Sequence, residues 1–161
     1  MVNVLITGGT IDKQYNKLDG NLVLEHSYLK NILEQARCTI EISIRTIMLK
    51  DSLNMVDADR EMIVRACMET ETDKIIISHG TDTMVQTAEL IDKRVKGKTV
   101  VLFGAMIPFT FGYSDALFNF GLAVASVQSR SRGVYITMNG KIFNAGNVRK
   151  NRTLGVFEEI G

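Results

Sequence analysis

The feature that most constrains this chain is its alternation of short apolar runs with helix-length amphipathic segments. "VNVLIT" (2–7), "KIIIS" (74–78), "TVVLFGAM" (99–106) and "GVYITMN" (133–139) are largely continuous apolar runs. Strands buried on both faces of a parallel sheet read this way. "TIEISIRTIM" (39–48) alternates with period two, which predicts a strand nearer a sheet edge. Between these runs, residues 27–37, 57–69, 83–95 and 114–130 carry apolar side chains at helical spacing. Ser27 is a candidate cap for the first, the second opens on acids, and a capping pair opens the last. The order is βαβαβαβαβ. It predicts an α/β fold: a doubly wound, mainly parallel five-stranded sheet with helices on both faces. The flavodoxin-like strand order 2-1-3-4-5 is the favoured arrangement.

The 161 residues suffice for one domain with a sizeable core. Hydrophobic residues at 45% and charged residues at 23% argue against disorder. Nineteen basic against eighteen acidic residues leave a net charge of +1, so neither nucleic acid nor a membrane surface is an expected partner. Cys38 and Cys67 match no metal or redox spacing and read as buried thiols in a reducing compartment, so a cytoplasmic location is expected. "MVNVLITGG" does not read as a signal peptide, and no apolar run approaches bilayer length. "GKT" (97–99) is no phosphate loop, because Asp92 stands where the first glycine is required. "TGGT" is not a dinucleotide fingerprint, since Asp12 and Lys13 follow it, and there is no G-x-S-x-G or H-E-x-x-H. No metal or cofactor is expected.

Ligands of open parallel sheets bind outside the carboxyl ends of the strands. Those ends lead into "TGGTIDKQY", "KDSLNM", "HGTDTM", "GAMIPFTFGYSD" and "NGKIFNAGNVRKNRT", whereas the opposite ends lead into solvated joints such as "ETETD", "KGK" and "SRSRG". Hydroxyls, carboxylates and glycines therefore collect on one edge. Thr10 follows Gly8 and Gly9, which allow a backbone to approach a ligand closely. It is either a nucleophile awaiting a base or the end of a turn. Thr81 and Asp82 form either a polarised hydroxyl with an ammonium anchor or the cap of the next helix. His79 reads more readily as structural than catalytic. Lys150 is a solvated tail charge unless its loop folds back toward Asp82, where it could take or hold a hydroxyl proton. Hydroxyl-bearing loops without a metal motif or a phosphate loop favour covalent acyl transfer on a small substrate.

"ITGGTI", "DSLNM", "HGTDTM", "VVLFGAM" and the late Lys150 resemble, in order and spacing, the bacterial-type L-asparaginase family. The resemblance covers nearly the whole chain and matches the N-terminal domain of that family. It implies a single N-terminal-type domain over 1–161, naturally short, with the usual C-terminal domain absent. It implies an amidohydrolase that takes L-asparagine to L-aspartate and ammonia through a threonine acyl-enzyme. By motif position Thr10 resembles the nucleophile, and Thr81, Asp82 and Lys150 resemble the second triad. Ser52 resembles the hydroxyl that holds the substrate α-carboxylate, and Asp82 the group that holds the α-amino group. Ala105 resembles a backbone ligand of the substrate amide, and Tyr15 is the candidate lid tyrosine, with Tyr28 not far away. Three positions depart from the pattern: Ile107 replaces an Arg, Leu53 a Gln or Ser, and Asn54 an Asp. An acidic residue that the second domain lends to a neighbouring subunit is also missing, which implies weak affinity. A homodimer or homotetramer is expected, with the aromatic loop "MIPFTFGY" (106–113) as its interface or as a flap over the substrate. The other readings are a glutaminase or amidotransferase-type amidohydrolase, and a module that binds aspartate or asparagine without turnover.

Overall fold

The five apolar runs pair into one sheet. In the computed structural model, which describes residues 1–161, the strands are β1 (Val2–Ile6), β4 (Ile42–Thr46), β5 (Lys74–Ser78), β6 (Thr99–Phe103) and β7 (Gly133–Met138). They are parallel and ordered β4-β1-β5-β6-β7, which is the 2-1-3-4-5 order read from the sequence. β4 lies at the edge, as its alternation predicts.

The sheet has six strands, not five. β8 (Lys141–Asn144) adds an antiparallel edge beside β7. The reason lies in "MNGK": Asn139 and Gly140 both take positive φ, 55° and 74°. Asn-Gly favours such tight hairpin turns, and this one sends the chain straight back. Two small hairpins complete the strands: β2 (Gln14–Tyr15) with β3 (Leu22–Val23), and β9 (Arg149–Asn151) with β10 (Val156–Glu158).

The helices are α1 (Leu29–Gln35), α2 (Asp57–Glu69), α3 (Met84–Arg94) and α4 (Ala116–Ser129). Alternation within each buried strand feeds two cores. Ile75 and Ile77 of β5 join Ile63, Cys67, Ala88 and Ile91 of α2 and α3 on one face. Ile76 between them joins Leu29, Ile32, Phe120 and Ala123 of α1 and α4 on the other. Period two in the strand thus meets period 3.6 in the helices, and both faces are covered. No helix is long and apolar enough to cross a membrane.

Candidate active site

The carboxyl ends of β1, β4, β5 and β6 meet at one rim, and two glycines decide how closely. Gly9 sits at φ 96° and ψ −175°, a region essentially confined to glycine. A β-carbon there would lie 2.5 Å from the Gly80 α-carbon. A β-carbon on Gly80 would in turn lie 2.6 Å from the Ser52 hydroxyl oxygen. The loops after β1, β5 and β4 therefore touch backbone to backbone, which brings Thr10, Thr81 and Ser52 onto one small patch. The ladder continues into these loops: Thr7 donates from its amide to Ser78 O at 3.2 Å, and His79 from its amide to Phe103 O at 2.9 Å.

Thr81 is buried, and its hydroxyl accepts from Lys150 Nζ at 2.8 Å. The same ammonium donates to Asp82 Oδ1 at 2.8 Å. Lys150 spans 69 residues of sequence to do so, and its side chain is only 11% exposed. The solvated-tail reading of Lys150 is thereby excluded. The helix-cap reading of Asp82 fails as well: α3 starts after Thr83, no side chain caps it, and the carboxylate takes no backbone N–H. Partial burial works to raise the Asp82 pKa, but Lys150 and Arg152 outweigh it and hold the carboxyl below the ordinary range.

Arg152 is the residue that sequence reasoning missed. Its Nη1 donates to Asp82 Oδ1 at 2.6 Å and its Nη2 to Asp82 O at 3.1 Å. Arg152 is the first residue of the turn that follows β9 (Arg149–Asn151), and it comes back beside Lys150 there. Lys150 and Arg152 face Asp82, while Arg149 and Asn151 face Glu158, Arg149 at 2.9 Å.

Thr10 opens a short 3-10 turn and is half-buried, and no hydrogen bond ties its hydroxyl to the chain. Ser52 is buried; its hydroxyl accepts from the Thr83 amide at 3.3 Å, and Thr83 Oγ1 donates to Ser52 O at 2.9 Å. Ala105 is buried, and no backbone hydrogen bond takes its amide or carbonyl. Its loop is fixed from outside by two side chains that the sequence did not single out. Asp115 accepts from the amides of Met106 and Ile107 at 3.0 Å each, so it ties down the loop rather than capping α4. Asn119, one turn on, donates to Gly104 O at 3.0 Å.

Tyr15 is mostly exposed on the β2–β3 hairpin, its hydroxyl lying over Gly20 of the same hairpin and not joined to Thr10. Tyr28 is committed elsewhere: it donates to Gln14 Oε1 and packs its ring on His26 and Phe109. Lys13, next to the Thr10 turn, pairs with Asp51, and its carbonyl accepts from Thr110 at 3.0 Å. Burial works to raise the Asp51 pKa, yet Lys13 and the Leu53 amide, helped by the Lys150 charge, bring it below normal.

His79 is wholly buried, with Nδ1 2.8 Å from Gly80 O and Nε2 2.8 Å from Thr87 Oγ1. Burial pushes its pKa down to about 4. It is a neutral brace between this loop and α3, as a histidine at a strand end reads. No cluster of three His, Cys, Asp or Glu side chains suits a metal ion. Neither the surface groove of about 290 Å³ between β4 and α2 nor the one of about 510 Å³ along α4 is lined by Thr10, Ser52, Thr81, Asp82 or Lys150.

This constellation has relatives. The family described as asparaginase, N-terminal, matches residues 1–158. The chain belongs to the asparaginase family. An L-asparaginase from Thermococcus kodakarensis is 32% identical over 95% of this chain and 48% of its own length. The solved thermostable L-asparaginase from that organism superposes with a TM-score of 0.86 at 32% identity, over 99% of this chain and 51% of its own. A probable periplasmic L-asparaginase from Haemophilus influenzae is 43% identical over 53% of this chain and 26% of its own length. A glutaminase-asparaginase from Pseudomonas fluorescens biotype A is 37% identical over 50% and 23%. The chain spans about a quarter to a half of the length of these relatives.

Proposed function

We propose that this chain hydrolyses L-asparagine to L-aspartate and ammonia through an acyl-enzyme on Thr10. One observation carries the reading: Lys150 joins Thr81 to Asp82 on the rim where Thr10 emerges. The Thr10 oxygen adds to the side-chain amide carbon, and its proton is passed on to the amide nitrogen. The tetrahedral intermediate collapses, the C–N bond breaks, and the nitrogen leaves protonated as ammonia. Water then attacks the ester, its proton passes toward the Thr81–Lys150–Asp82 chain, and aspartate departs as Thr10 regains its proton. Ser52 holds the α-carboxylate, Asp82 the α-ammonium, and the Ala105 backbone the amide. Tyr15 is the lid tyrosine that comes down on its hairpin to orient Thr10, a role that its present exposure leaves it free to take.

The likeness to a glutaminase-asparaginase from Pseudomonas fluorescens biotype A favours one second reading, in which glutamine is turned over as well. Ammonia release from asparagine and from glutamine by the purified protein tests both. The Thr10→Ala protein should lose roughly two to four orders of magnitude in turnover with an unchanged melting temperature. Near-full activity in that variant rejects the nucleophile. A homodimer or homotetramer belongs to the same proposal, supported by the exposed side chains of Phe111 and Tyr113 on the 106–113 loop and of Phe118 on α4. A cytoplasmic location fits the unpaired Cys38 and Cys67, and cell fractionation checks it.

A further inference from the structure

Asp82 carries one negative charge and faces two cations. Lys150 Nζ and Arg152 Nη1 both donate to Oδ1, at 2.8 Å and 2.6 Å, and no hydrogen bond occupies Oδ2. Two positive charges less one negative leave this cluster at +1. The neighbouring Lys13–Asp51 pair adds no net charge, and His79 is neutral. Asp82 is therefore more than neutralised by its two partners, which weakens its pull on a further cation.

We infer that Arg152 is a specificity-determining residue: it sits on the carboxylate meant for the substrate's α-ammonium and turns the site toward ω-amides of dicarboxylic acids recognised by their free carboxylate. The inference takes the location of the ammonium anchor from the proposed function but does not need turnover. The geometry is directed. Arg152 grips both the side chain and the carbonyl of Asp82, in the forked manner of a guanidinium, and stays 61% exposed at the mouth. An incoming ammonium must share Asp82 with it or displace it. Solvent at this exposed position screens the effect, so it amounts to about two- to fivefold in binding, the range of exposed ion pairs.

L-Aspartate and succinate differ only in the α-ammonium, which makes their affinity ratio the direct readout. Isothermal titration of both into the wild-type protein, Arg152→Gln and Arg152→Lys gives that ratio without any need for catalysis. Aspartate's advantage over succinate should be about two- to fivefold larger in Arg152→Gln than in the wild type, and Arg152→Lys should stay near the wild type. A merely structural role would weaken both ligands together and leave the ratio alone. A ratio that is equal or smaller in Arg152→Gln overturns the inference. Should that variant melt early, Arg152→Ala and the Lys variant carry the comparison. Ammonia release by the same wild-type preparation separates the two readings. Release with an unchanged ratio rejects the role of Arg152 alone. A raised ratio without release keeps that role and rejects asparagine hydrolysis. Binding of neither dicarboxylate rejects the inference together with the anchor it rests on.

Discussion

Replacing Lys150 by Met isolates the ammonium from the stem that carries it. The thioether keeps most of the length and apolar contact, while both 2.8 Å bonds, to Thr81 and to Asp82, disappear. The side chain is 11% exposed, so water screens these bonds little. A hydrogen bond involving a charged group contributes about 1.5–3 kcal/mol. Two of them, both needed while charge moves through the transition state, correspond to roughly a hundredfold to ten-thousandfold in kcat/KM. Asp82 is not left bare, because Arg152 remains on the same oxygen, so the melting temperature should fall by only a few degrees. Arg149→Met is the control. Its partner Glu158 lies on the other side of the hairpin, and an exposed pair of this kind contributes about 0–1 kcal/mol to stability and nothing to the rim. Coupled ammonia release and thermal melting, run side by side, read both quantities. A Lys150→Met protein that melts normally and retains turnover within about threefold of Arg149→Met would show that the lysine–threonine–carboxylate chain does no chemistry here.

Two further outcomes follow from particular side chains. Asp12 is buried; burial raises its pKa against two opposing bonds, from the Tyr28 amide and the Ser27 hydroxyl, and its Oδ2 has no partner. A raised folded pKa stabilises below the ordinary carboxylate pKa and loses that contribution as pH rises through the folded value, so Asp12→Asn should gain in melting temperature relative to wild type as pH rises from the ordinary carboxylate range to neutrality; a pH-independent difference would refute this. Exposed Tyr113 and Phe118 lead us to expect an assembly of at least two subunits in sedimentation at micromolar concentration, and a clean 17.9 kDa monomer would refute the interface.

The sheet was legible because its strands are unambiguous. Four apolar runs and one alternating run have no other way to be buried in a chain of this length, and the helices between them enforce parallel pairing. The rim was legible for the same reason, since the carboxyl ends of those strands are where the polar loops had to gather. Thr10, Ser52 and Thr81 are local to such ends. Part of what escaped lies after β7, where the elements are three or four residues long and carry charged side chains. There "KIFN" does not read as a strand by hydrophobicity, and only the Asn139–Gly140 turn betrays it. Arg152 escaped because its partner is 70 residues away and its own segment, a turn after a three-residue strand, reads as a basic tail. Lys13, Asp51, Asp115 and Asn119 escaped because their roles consist of holding loops, which no spacing rule marks.

The delivery of Lys150 illustrates how much the site depends on such quiet elements. Two short antiparallel strands in isolation are marginal in water, yet β9 and β10 must hold an ammonium within hydrogen-bond reach of Thr81. The hairpin obtains its rigidity from elsewhere. Phe157, paired across the ladder with Lys150, is 2% exposed and inserts into the core shared with α2 and α3. Its amide donates to Asn139 Oδ1 at 2.8 Å, so the tight turn that closes β7 onto β8 also anchors β10. On the strand facing it, the side chains alternate: Lys150 reaches inward to Asp82 while Arg149 and Asn151 pair outward with Glu158, and Arg152, first in the turn that follows, also reaches Asp82. A one-residue slip of this hairpin would turn Arg149 and Asn151 toward Thr81 and Asp82 and leave the lysine in solvent. The buried phenylalanine and the outward Glu158 pairs both oppose that slip. Register in a two-stranded ribbon at the end of the fold therefore decides whether the hydroxyl, the ammonium and the carboxylate meet at all.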